Sequence, residues 1–158
     1  MVSAEHRKII ESKANKYLLD PDLVEAHVMT ESSDKPDAWR YEPAFWKTYI
    51  KKMGITDATE SAGRATSWGL LQLMGQVARE MGYQGSWTGL CDPTTNIEYG
   101  CKKLSKCYTK YAPDIDAGIA SYNCGTPKMV DGKFMNQEYV DRVHKFLYKI
   151  KHESIPGA

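Results

Sequence analysis

One stretch constrains this chain more than any other: Leu23-Val24-Glu25-Ala26-His27-Val28-Met29-Thr30-Glu31-Ser32-Ser33. It reads as a helix that ends on a carboxylate. Asp20 suits the N-cap, and Pro21 suits the first helical position, where a missing N–H costs nothing. Val24, Val28 and Glu31 stand at i, i+4 and i+7 and so share one face, which is otherwise apolar. Glu31 is therefore aimed inward at the C-terminal end of its helix. Helix dipoles favour cations there, so desolvation and the dipole both raise its pKa, as a general acid near neutral pH requires. Most glutamates are nevertheless solvated, so taken alone the stretch favours a Glu that turns out as the helix frays.

The length, 158 residues, suits one domain with a real core, expected to span 1–158. Hydrophobic residues make up 42% and charged residues 26%, a globular composition. A net charge of +1 removes any global signal for nucleic acid. Lys102, Lys103, Lys106 and Lys110, then Arg142, Lys145, Lys149 and Lys151, read as solvated helix faces. No run approaches the roughly 20 apolar residues of a membrane span. Met1 to Tyr17 is charged and amphipathic, so no export signal is visible. Cys91, Cys101, Cys107 and Cys124 include no C-x-x-C pair and are expected to be free thiols, with disulfides an alternative outside the cytosol.

In chain order, helices are expected over residues 3–19, 21–31, 43–53, 94–111 and 113–122, with a last one capped by Asn136. Residues 32–43 and 54–66 read as connections and 83–91 as a loop. Gly75-Gln76 reads as a break before a further helical turn or two ending at Met81-Gly82, a short hairpin is possible around Asp131-Gly132, and Ile155 to Ala158 reads as a frayed tail. With about six or seven helices and almost no alternating pattern, the fold class is mainly α, with at most a minor hairpin. Gly100 on the inward stripe of its helix predicts a close helix approach.

No His/Cys/Asp/Glu cluster has metal-ligand spacing and no glycine-rich phosphate loop is present, so no metal or cofactor is expected. His27, four residues before Glu31, is within reach of it or is simply packed. Two polar patches resist a purely structural reading. Ser67 and Gln72 bracket Gly69-Leu70-Leu71, where a Gln among Leu70, Leu71, Leu73 and Met74 needs partners. Ser121-Tyr122-Asn123-Cys124-Gly125 ends a helix, where Asn before Gly is also a plain stop signal.

Taken in order, Glu31-Ser32, Ser67-x-Gly69-Leu70-Leu71-Gln72-Leu73-Met74, Asp92-Pro93 with Asn96-Ile97 and Gly100, Ser121-Tyr122-Asn123-Cys124-Gly125 and Tyr139-Val140 resemble the lytic transglycosylase (SLT) domain. That family has a lysozyme-like fold and is related to goose-type lysozyme. Its usual strings are E-S, G-L-M-Q-I, D-P-x-x-N-I-x-x-G, A-Y-N-A-G and E-T-x-x-Y-V. Leu71 and Leu73 replace Met and Ile, which conserves volume. The E-T pair is missing before Tyr139, and the span from Glu31 to Ser67 is longer than is common. That span carries Trp39, Arg40, Tyr41, Glu42, Phe45 and Trp46, read as an extra helix packing on the core or as a lid whose aromatics stack on sugars.

The resemblance covers about residues 18–150. It implies cleavage of the β-1,4 bond between N-acetylmuramic acid and N-acetylglucosamine, with Glu31 catalytic and 1,6-anhydro ends formed. Ser67, Gln72, Tyr122, Asn123 and Tyr139 are implied as substrate-cleft residues, with Tyr139 bonded to Glu31 and Ser67 a second candidate for that bond. The implied partner is peptidoglycan glycan strands, met at the cell wall by a monomer. Ordinary glycosidases pair two carboxylates, about 5 Å apart when retaining and about 6.5–9.5 Å apart when inverting. Candidates for a second one here are Asp34, Asp37, Glu42 and Glu60, all in the variable stretch. A hydrolase of goose-type lysozyme character is thus an alternative, and a wall-binding domain without chemistry is another.

Overall fold

The computed structural model describes residues 1–153, so the expected frayed tail lies outside the described residues. Helix α1 (Ala4–Lys16) is capped by Ser3 and α2 (Pro21–Glu31) by Asp20, whose carboxylate accepts from the Asp22 N–H. α1 stops three residues short of the expected end: Leu18 takes a left-handed backbone (φ 56°) and is left exposed. Four further helices carry the core: α5 (Gly75–Glu80), α6 (Pro93–Tyr111), α7 (Ile115–Cys124) and α8 (Gln137–Glu153). Asp92 caps α6 and Asp114, not Pro113, sets the start of α7, each accepting from an N–H of the first turn.

Packing of α2 on α8, of α6 on α7 and of α1 on α6 builds the main core. It centres on Ile10, Val24, Val28, Leu70, Leu71, Ile97, Leu104, Ile119, Val140 and Val143. A smaller cluster of Leu73, Ala78, Tyr83, Trp87 and Leu90 lies beside it. All four cysteines are free thiols, Cys101 fully buried and its thiol pushed up to about 12 by burial.

The largest departure from expectation is a three-stranded antiparallel sheet, β1 (Trp39–Tyr41), β2 (Thr66–Trp68) and β3 (Leu73–Met74), in the order β1-β2-β3. Strands this short carry no readable period. Pairing of Arg40 with Ser67, and of Ser67 with Met74, sets those three side chains in one row across the sheet. Trp39 and Trp68 pair on the opposite face. Between β1 and β2, α3 (Pro43–Phe45) runs directly into a π turn (Trp46–Ile50) and a 3-10 turn (Lys51–Met53), ended by Gly54 at φ 66°. Residues 54–66, expected as connection, contain α4 (Ala58–Arg64), capped by Asp57. α5 is the further helical turn expected after Gly75-Gln76 and opens at Gly75 itself, and a 3-10 turn (Trp87–Cys91) lies in the expected 83–91 loop.

The hairpin at Asp131-Gly132 is present as β4 (Met129–Val130) and β5 (Lys133–Phe134), both turn residues having positive φ as a primed turn demands. Asn136 does precede α8, but its amide donates to Ala120 O and Asn123 Oδ1, tying α8 to the end of α7.

Candidate active site

α2 delivers Glu31 to one wall of a cavity of about 470 Å³. β1 and β2 bring Arg40 and Ser67, and Glu42 follows β1; the β2–β3 turn brings Gln72 and β3 brings Met74; and α7 brings Tyr122 and Asn123. The helical run after Pro43 closes one side with Phe45 and Tyr49, whose rings lie 4.9 Å apart. Trp46 turns away and donates its indole N–H to Ser61, so the aromatic segment both packs on α4 and borders the cavity.

The β2–β3 turn is held by one buried side chain. Asn96, on α6, accepts from the Leu71 N–H at 2.8 Å and donates to Trp68 O and Leu90 O, each at 2.8 Å. Gly69, at φ 69°, has no room for a side chain: an added Cβ would fall 2.4 Å from the Asn96 amide. At Gly100 the close approach expected for another helix is made by Leu71 instead, whose Cδ1 would lie 2.2 Å from an added Cβ. This turn holds Gln72 in the left-handed region, φ 44°, unusual for a non-glycine residue and characteristic of sites where function stores strain. Both hydrogens of its amide go to backbone, Ala38 O and Gly69 O, and its carbonyl oxygen accepts no hydrogen bond among the described residues.

Glu31 is half-buried, and Oε1 accepts from the Tyr139 hydroxyl at 2.7 Å. Burial raises the Glu31 pKa above the usual carboxylate range. The Tyr139 bond and the Lys103, Arg40 and Arg142 charges oppose that rise without cancelling it. Ser67 shares the cavity but makes no hydrogen bond to Glu31 among the described residues. Tyr122 lies there with its hydroxyl already donated to Leu71 O at 2.8 Å, so it offers the cavity a ring and no free hydroxyl. Asn123 accepts from Asn136, leaving its amide N–H groups at the rim.

Of the four carboxylates considered as partners of Glu31, Glu42 alone lines this cavity, ion-paired with Arg40 at 2.5 Å. Asp34 is held by His6 and the Ser3 N–H, pinning α1 to the end of α2. Asp37 faces an apolar groove beside Trp39, on the other face of the sheet. Glu60 is bridged by Arg64 and Arg79, which lower its pKa.

Lys103, read from sequence as part of a solvated face, lies instead in the cavity wall. Its ammonium donates to Tyr122 O at 2.8 Å and sits 3.8 Å from the Tyr122 ring centre. Burial lowers its pKa and the Glu31 charge resists that. The available signal was its position three residues after Gly100, at the edge of the inward stripe of α6.

A raised carboxyl held by a tyrosine in an open cleft with amide and cationic walls suits proton transfer on a polar, extended substrate. The family model of the transglycosylase SLT domain matches residues 8–140. The chain belongs to the transglycosylase SLT family. No solved structure matches the chain. The SLT match spans every side chain of the cavity, from Glu31 to Asn123, and includes Tyr139. SLT domains act on peptidoglycan, which directs this chain to the cell wall. No helix of the described residues is long and apolar enough to cross a membrane.

Proposed function

We propose that this SLT domain cleaves the β-1,4 bond between N-acetylmuramic acid and N-acetylglucosamine in peptidoglycan glycan strands and leaves 1,6-anhydro-muramic ends. Glu31 is the catalytic residue. Its carboxyl proton passes to the glycosidic oxygen as the C1–O bond breaks and the N-acetylglucosamine hydroxyl leaves. The substrate's acetamido group shares the positive charge that develops at C1. The Glu31 carboxylate then takes the proton of the C6 hydroxyl while that oxygen bonds to C1, which restores the acid for the next cycle. One group serves as acid and then as base, so its pKa belongs near the working pH.

The observation that carries this reading is the Glu31 carboxyl itself: desolvated, raised, and anchored by Tyr139 through one oxygen, so that the other is left for substrate. Gln72 and Asn123 supply the amide carbonyl and N–H groups that suit N-acetyl and hydroxyl groups. Ser67 supplies a hydroxyl, and Tyr122 contributes through its ring. Phe45 and Tyr49 border the same cavity and offer faces for sugar stacking.

Glu42 supports a second reading, hydrolysis, because it shares the cavity and could orient a water. Its pairing with Arg40 weighs against that role. Mass spectrometry of digested peptidoglycan decides between the two. Anhydro-muramic ends are expected, and reducing ends throughout would overturn the transglycosylase reading. Glu31→Gln is expected to abolish release of fragments while binding to the wall persists. Undiminished clearing by that variant would remove Glu31 from the mechanism, and wall binding without clearing by the parent protein would leave a binding module.

A further inference from the structure

The Glu31–Tyr139 bond is the inner end of a longer chain of hydrogen bonds that no motif of the family string contains. The Tyr139 hydroxyl also meets His27 Nδ1 at 3.0 Å, and His27 Nε2 meets the Tyr108 hydroxyl at 2.8 Å. His27 is fully buried on α2, one turn before Glu31. Tyr108 arrives from α6 and Tyr139 from α8, so three helices meet at one imidazole. The Tyr108 ring is seated where α7 has no side chain: a Cβ added at Gly118 would lie 2.5 Å from Tyr108 Cδ1.

The geometry points to His27 and Tyr108 as positioning residues that act through Tyr139, setting the direction of its hydroxyl and thereby which oxygen of Glu31 carries the catalytic proton. The direction follows from counting donors. Among the described residues the Tyr108 hydroxyl meets His27 alone, and donating to Nε2 satisfies its O–H. A neutral imidazole that accepts at Nε2 is protonated at Nδ1. Nδ1–H then donates to the Tyr139 oxygen, and the Tyr139 proton is left to point at Glu31 Oε1. Oε1 is thereby occupied as an acceptor, and the transferable proton belongs on Oε2. Each bond in such a chain polarises the next. The imidazole stays neutral across the working range, since burial pushes its pKa down to about 3.

This inference deepens the proposed function, and its test separates the two. The groups that face Glu31 are Tyr139 and Arg142 from α8, Lys103 from α6, Tyr122 from α7 and Arg40 from β1, and all stay in place in Tyr108→Phe. That variant keeps the ring and removes one hydroxyl. Two readouts do not need turnover: the tautomer of His27 by long-range proton–nitrogen correlation on ¹⁵N-histidine protein, and the titration of the ¹³C-labelled Glu31 carboxyl. The expected results are an Nδ1–H imidazole in the parent protein and a Glu31 titration moved to higher pH in Tyr108→Phe. A kcat lowered roughly fivefold at unchanged KM should accompany them, the size of one net hydrogen bond. His27→Phe is expected to show the same Glu31 shift if it folds.

An Nε2–H imidazole in the parent protein, or a Glu31 titration unmoved in Tyr108→Phe, overturns the positioning role even if the protein degrades peptidoglycan. An Nδ1–H imidazole with the shifted titration upholds it even if no fragments are released, in which case the proposed function alone fails.

Discussion

Tyr139, on the last helix, donates its hydroxyl to Glu31 Oε1 at 2.7 Å, across 108 residues of sequence. The bond lowers the Glu31 pKa against the larger effect of burial. Tyr139→Phe therefore raises that pKa further. In the proposed reaction Glu31 starts protonated, so the alkaline limb of the kcat/KM profile is expected to move to higher pH. A hydrogen bond to a charged group is worth about 1.5–3 kcal/mol, so kcat should fall by roughly 10- to 100-fold. A pH–rate profile on purified glycan strands checks both.

The Asn96 side chain makes three hydrogen bonds from a fully buried position, joining the backbone of the β2–β3 turn at Trp68 and Leu71 to the 3-10 turn at Leu90. Asn96→Ala strands the Leu71 N–H and two carbonyls. The expected loss is about 3 kcal/mol of stability, read by denaturant unfolding. Activity should fall by more than the unfolded fraction accounts for, because Gln72 and Ser67 flank the freed turn.

Gln72 combines a left-handed backbone with a side chain in the cavity. Gln72→Gly and Gln72→Ala both remove the amide and are expected to lose activity alike. They should differ in stability, the glycine variant being firmer by about 1 kcal/mol because a Cβ is costly in that conformation. Equal unfolding midpoints would show that the turn relaxes around the alanine.

His27 binds no proton in the folded protein until the pH nears 3, whereas an unfolded histidine takes one near pH 6.5. Its folded pKa is depressed, so between those values the unfolded state holds more protons and stability falls as the pH drops, by about 1.4 kcal/mol per unit at the steepest. Glu98, held down to about 2 by Lys13, Lys16 and Tyr17, adds to the loss only below about pH 4.5. Between pH 6.5 and 4.5 the opposing contribution is Glu31, whose burial-raised carboxyl takes its proton first in the folded protein and so adds stability as the pH drops. His27→Phe is expected to flatten the stability curve there, as followed by chemical denaturation at half-unit steps.

Much of the helical frame was legible from local chemistry. Asp20-Pro21 and Asp92-Pro93 mark helix starts because a cap and a proline act within one turn. Gly54 and Gly125 end helices in the backbone conformation glycine tolerates. Asp131-Gly132 sets the hairpin turn for the same reason. The helix 58–64 was hidden in a small, polar stretch without an apolar stripe, and strands of two or three residues are too short to show alternation.

The sequence by itself determined most of the helices, that Glu31 ends one of them, and the ordered motifs that mark an SLT domain, since capping, helical spacing and motif order all act along the chain. Only the tertiary structure decided what surrounds that carboxyl. It brought Glu42 alone of the candidate acids into the cavity wall, spent the Tyr122 hydroxyl on Leu71, drew Lys103 into the wall, and joined Glu31 to Tyr108 through Tyr139 and His27. Each of these depends on helices distant in sequence meeting at ångström range, where burial and hydrogen-bond direction set a group's chemistry, and no local pattern records which partners will meet.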